Sequence, residues 1–114
     1  MASDCIFCKI IKGDIPTEKI YEDENVVAFN DISPKSPTHV LVVPKKHVAS
    51  LNDLKPDDMN MIVQVFDAIK KIAAKQGVAE DGYRVIVNTN RASGQEVFHM
   101  HFHIMGGRQL GGMG

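Results

Sequence analysis

The sequence predicts an α+β domain in which one long helix packs on an antiparallel sheet. Short segments with strand composition outnumber the helical ones, and most of them are joined by short turns. Only one segment, between Pro56 and Gly77, repeats apolar residues at helical spacing over several turns. Strands linked by short turns favour antiparallel pairing, so we expect the helix to lie against such a sheet.

Two segments have helical periodicity. The first, residues 5–12, is one or two turns long and ends at Gly13. The second begins at Pro56, which suits a first helical turn, and ends at Gly77. We expect the apolar stripe of this longer helix to face the sheet. Its members are Met59, Ile62, Val63, Phe66, Ile69 and Ala73.

Four segments before the last strand have strand composition and are bounded by turns. They are residues 18–22, 26–29, 39–43 and 83–88. The first two are joined at residues 23–25, which predicts a hairpin. A loop with two prolines and two serines, residues 31–38, precedes the third strand. A polar turn, residues 89–94, follows the fourth.

The composition indicates one ordinary globular domain over residues 1–114. Hydrophobic residues make up 44% of the chain and charged residues 24%, with a net charge of -1. This balance gives no reason to expect nucleic acid or an anionic membrane as the main partner. No apolar run approaches the roughly 20 residues that cross a bilayer. Residues 1–4 lack the pattern of a signal peptide, so we expect a cytoplasmic or nucleocytoplasmic location.

Three histidines at alternate positions mark the last strand. The run reads His99-Met100-His101-Phe102-His103-Ile104. Successive side chains of a strand point to opposite faces, so the histidines are expected on one face and the apolar residues in a core. Imidazole has an unperturbed pKa of roughly 6.5, so such a row can supply a nucleophile, an acid and base, or metal ligands. The alternative is a solvated polar edge.

A site for phosphate chemistry can be assembled from this strand and the loop before it. A neutral imidazole can attack phosphorus when an acceptor, such as a backbone carbonyl, holds the proton on its other nitrogen. A second histidine about 7 Å along the same face could contact other phosphate oxygens. The loop of residues 88–96 adds the amide side chains of Asn88 and Gln95. Gly94 permits close approach of backbone N–H groups to an anion.

A metal site is a second interpretation of the same residues. Cys5 and Cys8 have CxxC spacing, which in a reducing compartment favours metal or redox chemistry over a structural disulfide. With any two histidines they complete a tetrahedral zinc site, and His47, in a turn after a strand, is the leading third ligand. The alternatives are cysteines packed as small apolar residues and a surface histidine.

Two residues beside the proline loop have open roles. The carboxylate of Asp31, at the end of a predicted strand, can accept both hydroxyls of a ribose. It can equally form an Asx turn before Pro34. His39 opens the next strand and, taken alone, is as typical of a buried core histidine as of a site residue.

Together these motifs resemble the histidine-triad (HIT) superfamily over essentially the whole chain. The matching segments, in order, are residues 5–11, 29–34, 37–39, 44–47 and 99–108. The Gly106-Gly107-Arg108 ending resembles its nucleotide-binding Hint branch. The resemblance implies a single HIT domain with a five-stranded antiparallel sheet, one long helix and a short N-terminal helix, assembled as a two-fold homodimer. It also implies a site for AMP or GMP and hydrolysis of purine nucleoside phosphoramidates.

The resemblance also implies a role for each active-site residue. His101 matches the nucleophile that forms a nucleotidyl-histidine, and the carbonyl of His99 would hold its proton. His103 would contact phosphate oxygens, and His39 would support the nucleophile's side of the site. The implied nucleotide-binding residues are Ile6, Phe7, Ile10, Phe29 and Ile32 at the base, Asp31 at the ribose, and Asn88, Gln95, Glu96 and Val97 at the phosphate.

This chain departs from the family pattern in two places. Some members have a serine where this chain has Glu96, whose carboxylate would repel phosphate. We therefore expect Glu96 to point away and to offer only its backbone N–H. The two cysteines are not universal in the Hint branch, and members that keep both resemble zinc-binding relatives. That resemblance implies a structural zinc and no cofactor for the chemistry. The implied zinc ligands are Cys5, Cys8, His47 and His99.

The expected mechanism is double displacement on His101. Attack on the α-phosphorus expels the amine, and water then cleaves the P–N bond of the intermediate. Two other function classes stay open: a nucleotide sensor or scaffold with incidental turnover, and a metalloenzyme that holds one catalytic ion with the three triad histidines. Tight AMP binding without turnover would favour the sensor. Activity that EDTA abolishes and metal restores would favour the metalloenzyme.

Overall fold

The computed structural model describes residues 4–114 and shows an α+β fold with a single sheet. The helices and strands, in chain order, are α1 (Ile6–Lys12), β1 (Tyr21–Glu22), β2 (Val26–Asn30), β3 (Thr38–Pro44), α2 (Met59–Lys75), β4 (Tyr83–Val87) and β5 (Phe102–Gly106). All strand pairs are antiparallel, in the order β1-β2-β3-β5-β4. The predicted five-stranded sheet with one long helix and a short N-terminal helix is confirmed. Residues 1–3 lie outside the described residues. They belong to the segment, residues 1–4, that was predicted to lack the pattern of a signal peptide.

Both faces of the sheet are covered because its central strands are apolar on each side. The cluster between the sheet and α2 includes Val40, Val42, Ile72, Phe102 and Ile104. The cluster on the α1 side includes Phe7, Ile10, Phe29, Leu41 and Val43. In the β3–β5 register Leu41 lies opposite His103. His103 therefore lies on the α1 face of the sheet.

The predicted histidine strand is shorter than expected. β5 begins at Phe102, so residues 99–101 precede it. In this segment the N–H of Met100 donates to the carbonyl of Val48, 2.7 Å away, which lies beyond the end of β3. The predicted alternation is nevertheless present. Met100 is buried in the α2 cluster, whereas the rings of His99 and His101 both contact Phe7 of α1.

The face that helix α2 turns to the sheet overlaps the predicted stripe only in part, at Ile62, Ile69 and Ala73. Its buried residues are Val65, Ala68, Ile69, Ile72 and Ala73. Of the predicted stripe, Met59, Val63 and Phe66 are 48%, 63% and 49% exposed. The helix is apolar over a wide arc, and alanines at two of the buried positions allow its axis to approach the sheet. Phe66 stays at the margin, where its ring meets Phe102 edge to face at 5.7 Å.

The remaining boundaries differ little from the predictions. β1 has only two residues instead of the expected 18–22, although the N–H of Ile20 still donates to Ala28 O at 2.9 Å. β2, β3 and β4 agree with the predicted strands to within one residue at each end. Across residues 4–114, no helix combines the length and the apolar character that crossing a membrane would need.

Candidate active site and metal centre

A cleft of about 380 Å³ opens where the end of β2 and the start of β3 meet β4 and β5. The β3–β5 pairing sets this arrangement, because it places His39 opposite Met105 and Leu41 opposite His103. Six of the predicted site residues line the cleft. They are Asp31, His39, Asn88, Gly94, Glu96 and His103. Four further residues line it that the sequence did not single out, namely Ser33, Lys35, Ile86 and Met105.

His101 is buried beside the cleft with one nitrogen held by the main chain. Its Nδ1 lies 2.8 Å from the carbonyl oxygen of His99, which can only accept, so Nδ1 carries the proton. Burial lowers the pKa of His101, against the opposing effects of that hydrogen bond and of Asp31. The ring is therefore neutral at pH 7, and its Nε2 has a free lone pair. A neutral imidazole in this tautomer can act as a nucleophile.

His39 and His103 form a second pair whose protons are also placed by the main chain. The N–H of Lys35 donates to Nδ1 of His39 at 2.9 Å. The proton of neutral His39 must therefore be on Nε2, which lies 2.9 Å from Nδ1 of His103. His103 accepts at Nδ1 and so carries its own proton on Nε2. That Nε2 is buried and has no hydrogen-bond partner among the described residues.

The unpartnered N–H of His103 is suited to an anion. A buried donor without a partner is costly, and a phosphate oxygen would supply the acceptor. The ring centroids of His101 and His103 are 5.1 Å apart, so this donor lies next to the nucleophilic ring. Burial and the neighbouring imidazoles lower the pKa of His103 to about 4, so it donates as a neutral group at pH 7.

The same proton positions argue against a metal ion held by Asp31, His39 and His103. Ligand atoms of Asp31, His39 and His103 lie within 4.8 Å of one another, as a metal site would need. However, the proton on Nε2 of His39 removes the lone pair that would bind a metal. His39 could ligate there only after losing the hydrogen bond from Lys35. The geometry thus disfavours a metal ion on this group of three residues.

Four other residues do form a group that could bind a metal. Ligand atoms of Cys5, Cys8, His47 and His99 all lie within 4.8 Å of one another. Nδ1 of His99 is 3.3 Å from the Cys5 sulfur, 3.5 Å from the Cys8 sulfur and 3.2 Å from Nδ1 of His47. A tetrahedral ion with bonds of about 2.0 Å to nitrogen and 2.3 Å to sulfur separates its ligands by roughly 3.3 to 3.8 Å.

The chemistry of these four donors also fits a metal. Nε2 of His99 lies 2.7 Å from the carbonyl of Pro44, so the proton is there and the Nδ1 lone pair faces the cluster. A histidine ligand ordinarily donates its other N–H in this way. Burial, together with the neighbouring thiol of Cys5, raises the pKa of the Cys8 thiol to about 11. A divalent cation would reverse this by favouring thiolates.

The predicted base-binding residues divide into two groups. Phe7, Ile10 and Phe29 are buried in the α1 cluster, whereas Ile6 and Ile32 are 47% and 99% exposed. Val97 packs against the same cluster. Ile6 and Val97 also line a second cleft of about 470 Å³. Glu96 is exposed and lines both clefts, which places it at their boundary.

Gln95 holds the loop before β5 and leaves no side-chain N–H free for a ligand. Its Nε2 donates to Ala49 O at 2.8 Å and to Val97 O at 3.1 Å, and its Oε1 accepts from the N–H of Asn90. Asn90 has φ 66° and ψ -179°, a region that residues other than glycine rarely adopt. The buried amide of Gln95 therefore stabilises an unusual loop conformation, which the polar composition of the segment did not reveal.

Asp31 forms the predicted Asx turn and also faces the histidines. Its Oδ1 accepts from the N–H of Ser33 at 2.8 Å, and its Oδ2 lies 3.4 Å from Nε2 of His39. One oxygen thus shapes the loop while the other stays at the cleft. The main-chain N–H of Lys35, which fixes the His39 tautomer, gave no sequence signal because any residue but proline supplies it.

Comparisons with known proteins agree on one family. The HIT domain family model matches residues 12–110. The chain is 47% identical to the purine nucleoside phosphoramidase of Escherichia coli (strain K12), over 99% of this chain and 95% of that protein. The structure of a histidine triad protein from Clostridium difficile has a TM-score of 0.94 and 47% identity, covering 98% of this chain and 97% of that one. A HIT family hydrolase from Clostridium thermocellum has a TM-score of 0.95 and 42% identity, covering 99% and 98%.

Lowering the pH should reduce the free energy of unfolding, in part through His103. Its pKa is about 4 in the folded protein and roughly 6.5 in the unfolded chain. Between these values only the unfolded chain binds the proton, so the free energy of unfolding falls as the pH falls from 6.5 toward 4. Urea denaturation at about pH 7.5, 6.5 and 5.5 measures this dependence. His103→Asn should show a shallower dependence than the wild type, and equal slopes would contradict the prediction.

Proposed function

Because the chain belongs to the HIT family, we propose that it is a purine nucleoside phosphoramidase, a hydrolase that cleaves the P–N bond of a purine nucleoside 5′-phosphoramidate. One observation carries the proposal. A neutral His101 with its Nε2 lone pair free lies beside an unpartnered, buried N–H of His103. A nucleophile and a donor for a phosphate oxygen are thus adjacent. The likeness to the Escherichia coli phosphoramidase supports the same reaction.

The reaction follows from the proton positions in two displacements. Nε2 of His101 attacks the α-phosphorus, forming a P–N bond to the imidazole as the bond to the leaving nitrogen breaks and that nitrogen takes up a proton from solvent. The carbonyl of His99 stabilises the positive charge that develops on the ring. The N–H of His103 donates to a phosphate oxygen in both steps. Water then attacks phosphorus and gives up a proton to solvent as the P–N bond to His101 breaks, which releases the nucleoside monophosphate and returns His101 to its starting tautomer.

The remaining predicted site residues would bind the nucleotide around this centre. The free oxygen of Asp31 is available for the ribose hydroxyls at the edge of the cleft. Ile6 and Ile32 are exposed apolar residues that would contact a base, and Phe7 belongs to the buried α1 cluster. Asn88 lines the phosphate side. Positioning and charge stabilisation would supply most of the rate enhancement, as in other phosphoryl transfers.

We propose that the group formed by Cys5, Cys8, His47 and His99 binds a structural zinc ion. Two thiols and two imidazoles are a common zinc ligand set, and the second hydrogen bond of His99 supports it. All four coordination positions are filled by the protein, as expected of a structural site. The ion would join α1, which carries Cys8 and is capped by Cys5, to the segments around His47 and His99. Its contribution would be stability.

We further propose that two copies of the chain assemble as a two-fold dimer through β4. This strand lies at the edge of the sheet, and Val85 at its centre is 38% exposed. The exposed stripe of α2, formed by Met59, Val63 and Phe66, lies close by because Phe66 contacts Phe102, the partner of Val87 in β4. Pairing of β4 with β4 of a second copy would satisfy the free edge and bury this apolar surface.

Replacing the nucleophile should stop turnover and keep nucleotide binding. His101→Ala should lower the rate of adenosine 5′-phosphoramidate hydrolysis by about 10³-fold or more, since no other group can form the covalent bond. AMP affinity, measured by equilibrium dialysis, should change by less than about tenfold because most contacts remain. Mass spectrometry of the wild type with a slow substrate should trap one adenylyl group. A wild type that binds AMP tightly without turnover would identify a sensor instead.

Loss of one proposed zinc ligand should remove the metal and lower the melting temperature. His47 is exposed, so His47→Ala disturbs little packing. Purified wild type should contain about one zinc per chain and the variant almost none, with a Tm lower by about 5 °C or more. Chelator should lower the wild-type Tm to that of the variant and leave the variant unchanged. Equal metal content in both proteins would contradict the assignment.

The proposed dimer should dissociate when charge is placed on the exposed stripe of α2. Sedimentation should give the wild type a mass of twice 12.6 kDa and Val63→Glu the mass of one chain. Ile32→Glu is the matched control, because Ile32 is 99% exposed but belongs to the proposed base-binding set and not to the stripe. It should leave the mass unchanged. A Val63→Glu variant that remains a dimer would place the interface elsewhere.

A further inference from the structure

Arg108 contacts the loop that shapes the active site, although no role above includes its side chain. Its Nη2 donates to the main-chain carbonyl of Lys35 at 3.0 Å, and its Nη1 donates to Gln109 O at 2.9 Å. Lys35 is the residue whose N–H donates to Nδ1 of His39 at 2.9 Å. This one loop residue is therefore tied to Arg108 through its C=O and to His39 through its N–H.

The hydrogen bonds within the loop do not involve Lys35. At the start of the loop the N–H of Ser33 donates to Asp31, and at its end the hydroxyl of Ser36 donates to Thr38 O. Lys35 itself is exposed, so packing does not hold it. Among the contacts of the described residues, the guanidinium of Arg108 is the one that restrains the Lys35 carbonyl.

The end of β5 is built to bring Arg108 over this loop. Gly106 pairs with Thr38, and the chain then turns at Gly107, whose φ is +92°. A Cβ at Gly107 would lie 2.9 Å from Cβ of Pro37, closer than such atoms approach. Glycine thus permits both the backbone conformation and the close approach to the loop. The next residue along the chain is the arginine.

We propose that Arg108 is a positioning residue that fixes the tautomers of His39 and His103 by restraining the main chain at Lys35, whose C=O it binds and whose N–H donates to His39. The inference rests on the proposed function, since it concerns the same site. With the N–H of Lys35 in place, His39 must carry its proton on Nε2, and His103 must then carry its proton on the Nε2 that faces the phosphate. Without Arg108 the Lys35 N–H moves away. His39 can then adopt the other tautomer.

The alternative tautomer would reverse the hydrogen bond between the two histidines. Nδ1 of His103 would become the donor, and its Nε2 would be left with a lone pair. A lone pair repels a phosphate oxygen, whereas an N–H binds it. Loss of Arg108 should therefore weaken every step in which His103 donates to phosphate. It should leave His101 untouched, because the carbonyl of His99 holds that ring independently.

The test compares Arg108→Ala and Arg108→Lys with the control Lys75→Ala. Lys75 also donates from an exposed cation to a carbonyl, that of Ile20 at 3.0 Å, but at a distant edge of the fold. For adenosine 5′-phosphoramidate, kcat/KM should fall about tenfold in Arg108→Ala, recover in part in Arg108→Lys and stay at the wild-type value in Lys75→Ala.

Long-range ¹H–¹⁵N correlation spectra report which ring nitrogen of each histidine carries the proton. A purely structural role of Arg108 would not change these positions. Wild type should show His103 protonated at Nε2, and Arg108→Ala should show a mixture of tautomers at His103 and His39. A rate loss with unchanged tautomers would overturn the inference, and so would wild-type rate and tautomers in Arg108→Ala. If the wild type lacked phosphoramidase activity, the proposed function would fail, yet the tautomer comparison would still decide the role of Arg108.

Discussion

The chemistry of this protein depends on main-chain groups that decide which nitrogen of each buried imidazole carries the proton. The carbonyl of Pro44 holds the proton of His99 on Nε2, and the carbonyl of His99 holds that of His101 on Nδ1. In His39 the N–H of Lys35 donates to Nδ1, so the proton of this ring is on Nε2. The second nitrogen of each ring therefore has a defined role. On His99 and His101 it is a lone pair, which on His99 faces the cysteines, and on His39 it is a donor to His103.

Burial keeps these imidazole rings neutral, and the strand register of the sheet fixes their positions. Desolvation lowers the pKa of His101 and brings that of His103 to about 4, so the adjacent rings stay neutral and do not repel one another. Their positions follow from strand register, since Leu41 on the α1 face lies opposite His103. A shift of one residue would turn the imidazoles into the α2 core and Ile104 toward the cleft.

The sequence allowed the fold class, the strand set and the grouping of histidines to be predicted, because these depend on periodicity and spacing. The alternation that places Met100 in one cluster and His101 beside Phe7 is such a case. The face of α2 was predicted only in part, because Val63 and Phe66 are as apolar as the buried Val65 and Ile72. Periodicity cannot rank two overlapping stripes when both are apolar.

Details of the candidate site were beyond prediction for a different physical reason. The proton position on His39 depends on a main-chain N–H, which leaves no trace in residue identity. Gln95 has the composition of a phosphate ligand, but its buried amide is engaged with the carbonyls of Ala49 and Val97. The tie from Arg108 to Lys35 joins residues far apart in sequence, and only the fold brings them together.

His99 belongs to both the proposed zinc site and the active site. The hydrogen bonds of its ring and of its carbonyl determine how strongly the active site depends on the ion. Its ring faces Cys5 and Cys8, whereas its carbonyl holds the proton of His101. The ring is fully buried and bound to Pro44 O at 2.7 Å, a contact that needs no ion. Loss of the ion would therefore free the two cysteines, and with them α1, before it turned the His99 carbonyl.

Release of α1 would change the side-chain packing at the nucleotide site but not the protonated nitrogens of its histidines. Phe7 on this helix lies edge-on to the rings of His99 and His101, at 5.9 Å and 5.0 Å. Loosening it would open the apolar side of the site and weaken contacts with a base. The tautomer of His101 would persist, because a backbone carbonyl sets it. Stability and nucleotide affinity should thus respond to the metal before the rate of P–N cleavage does.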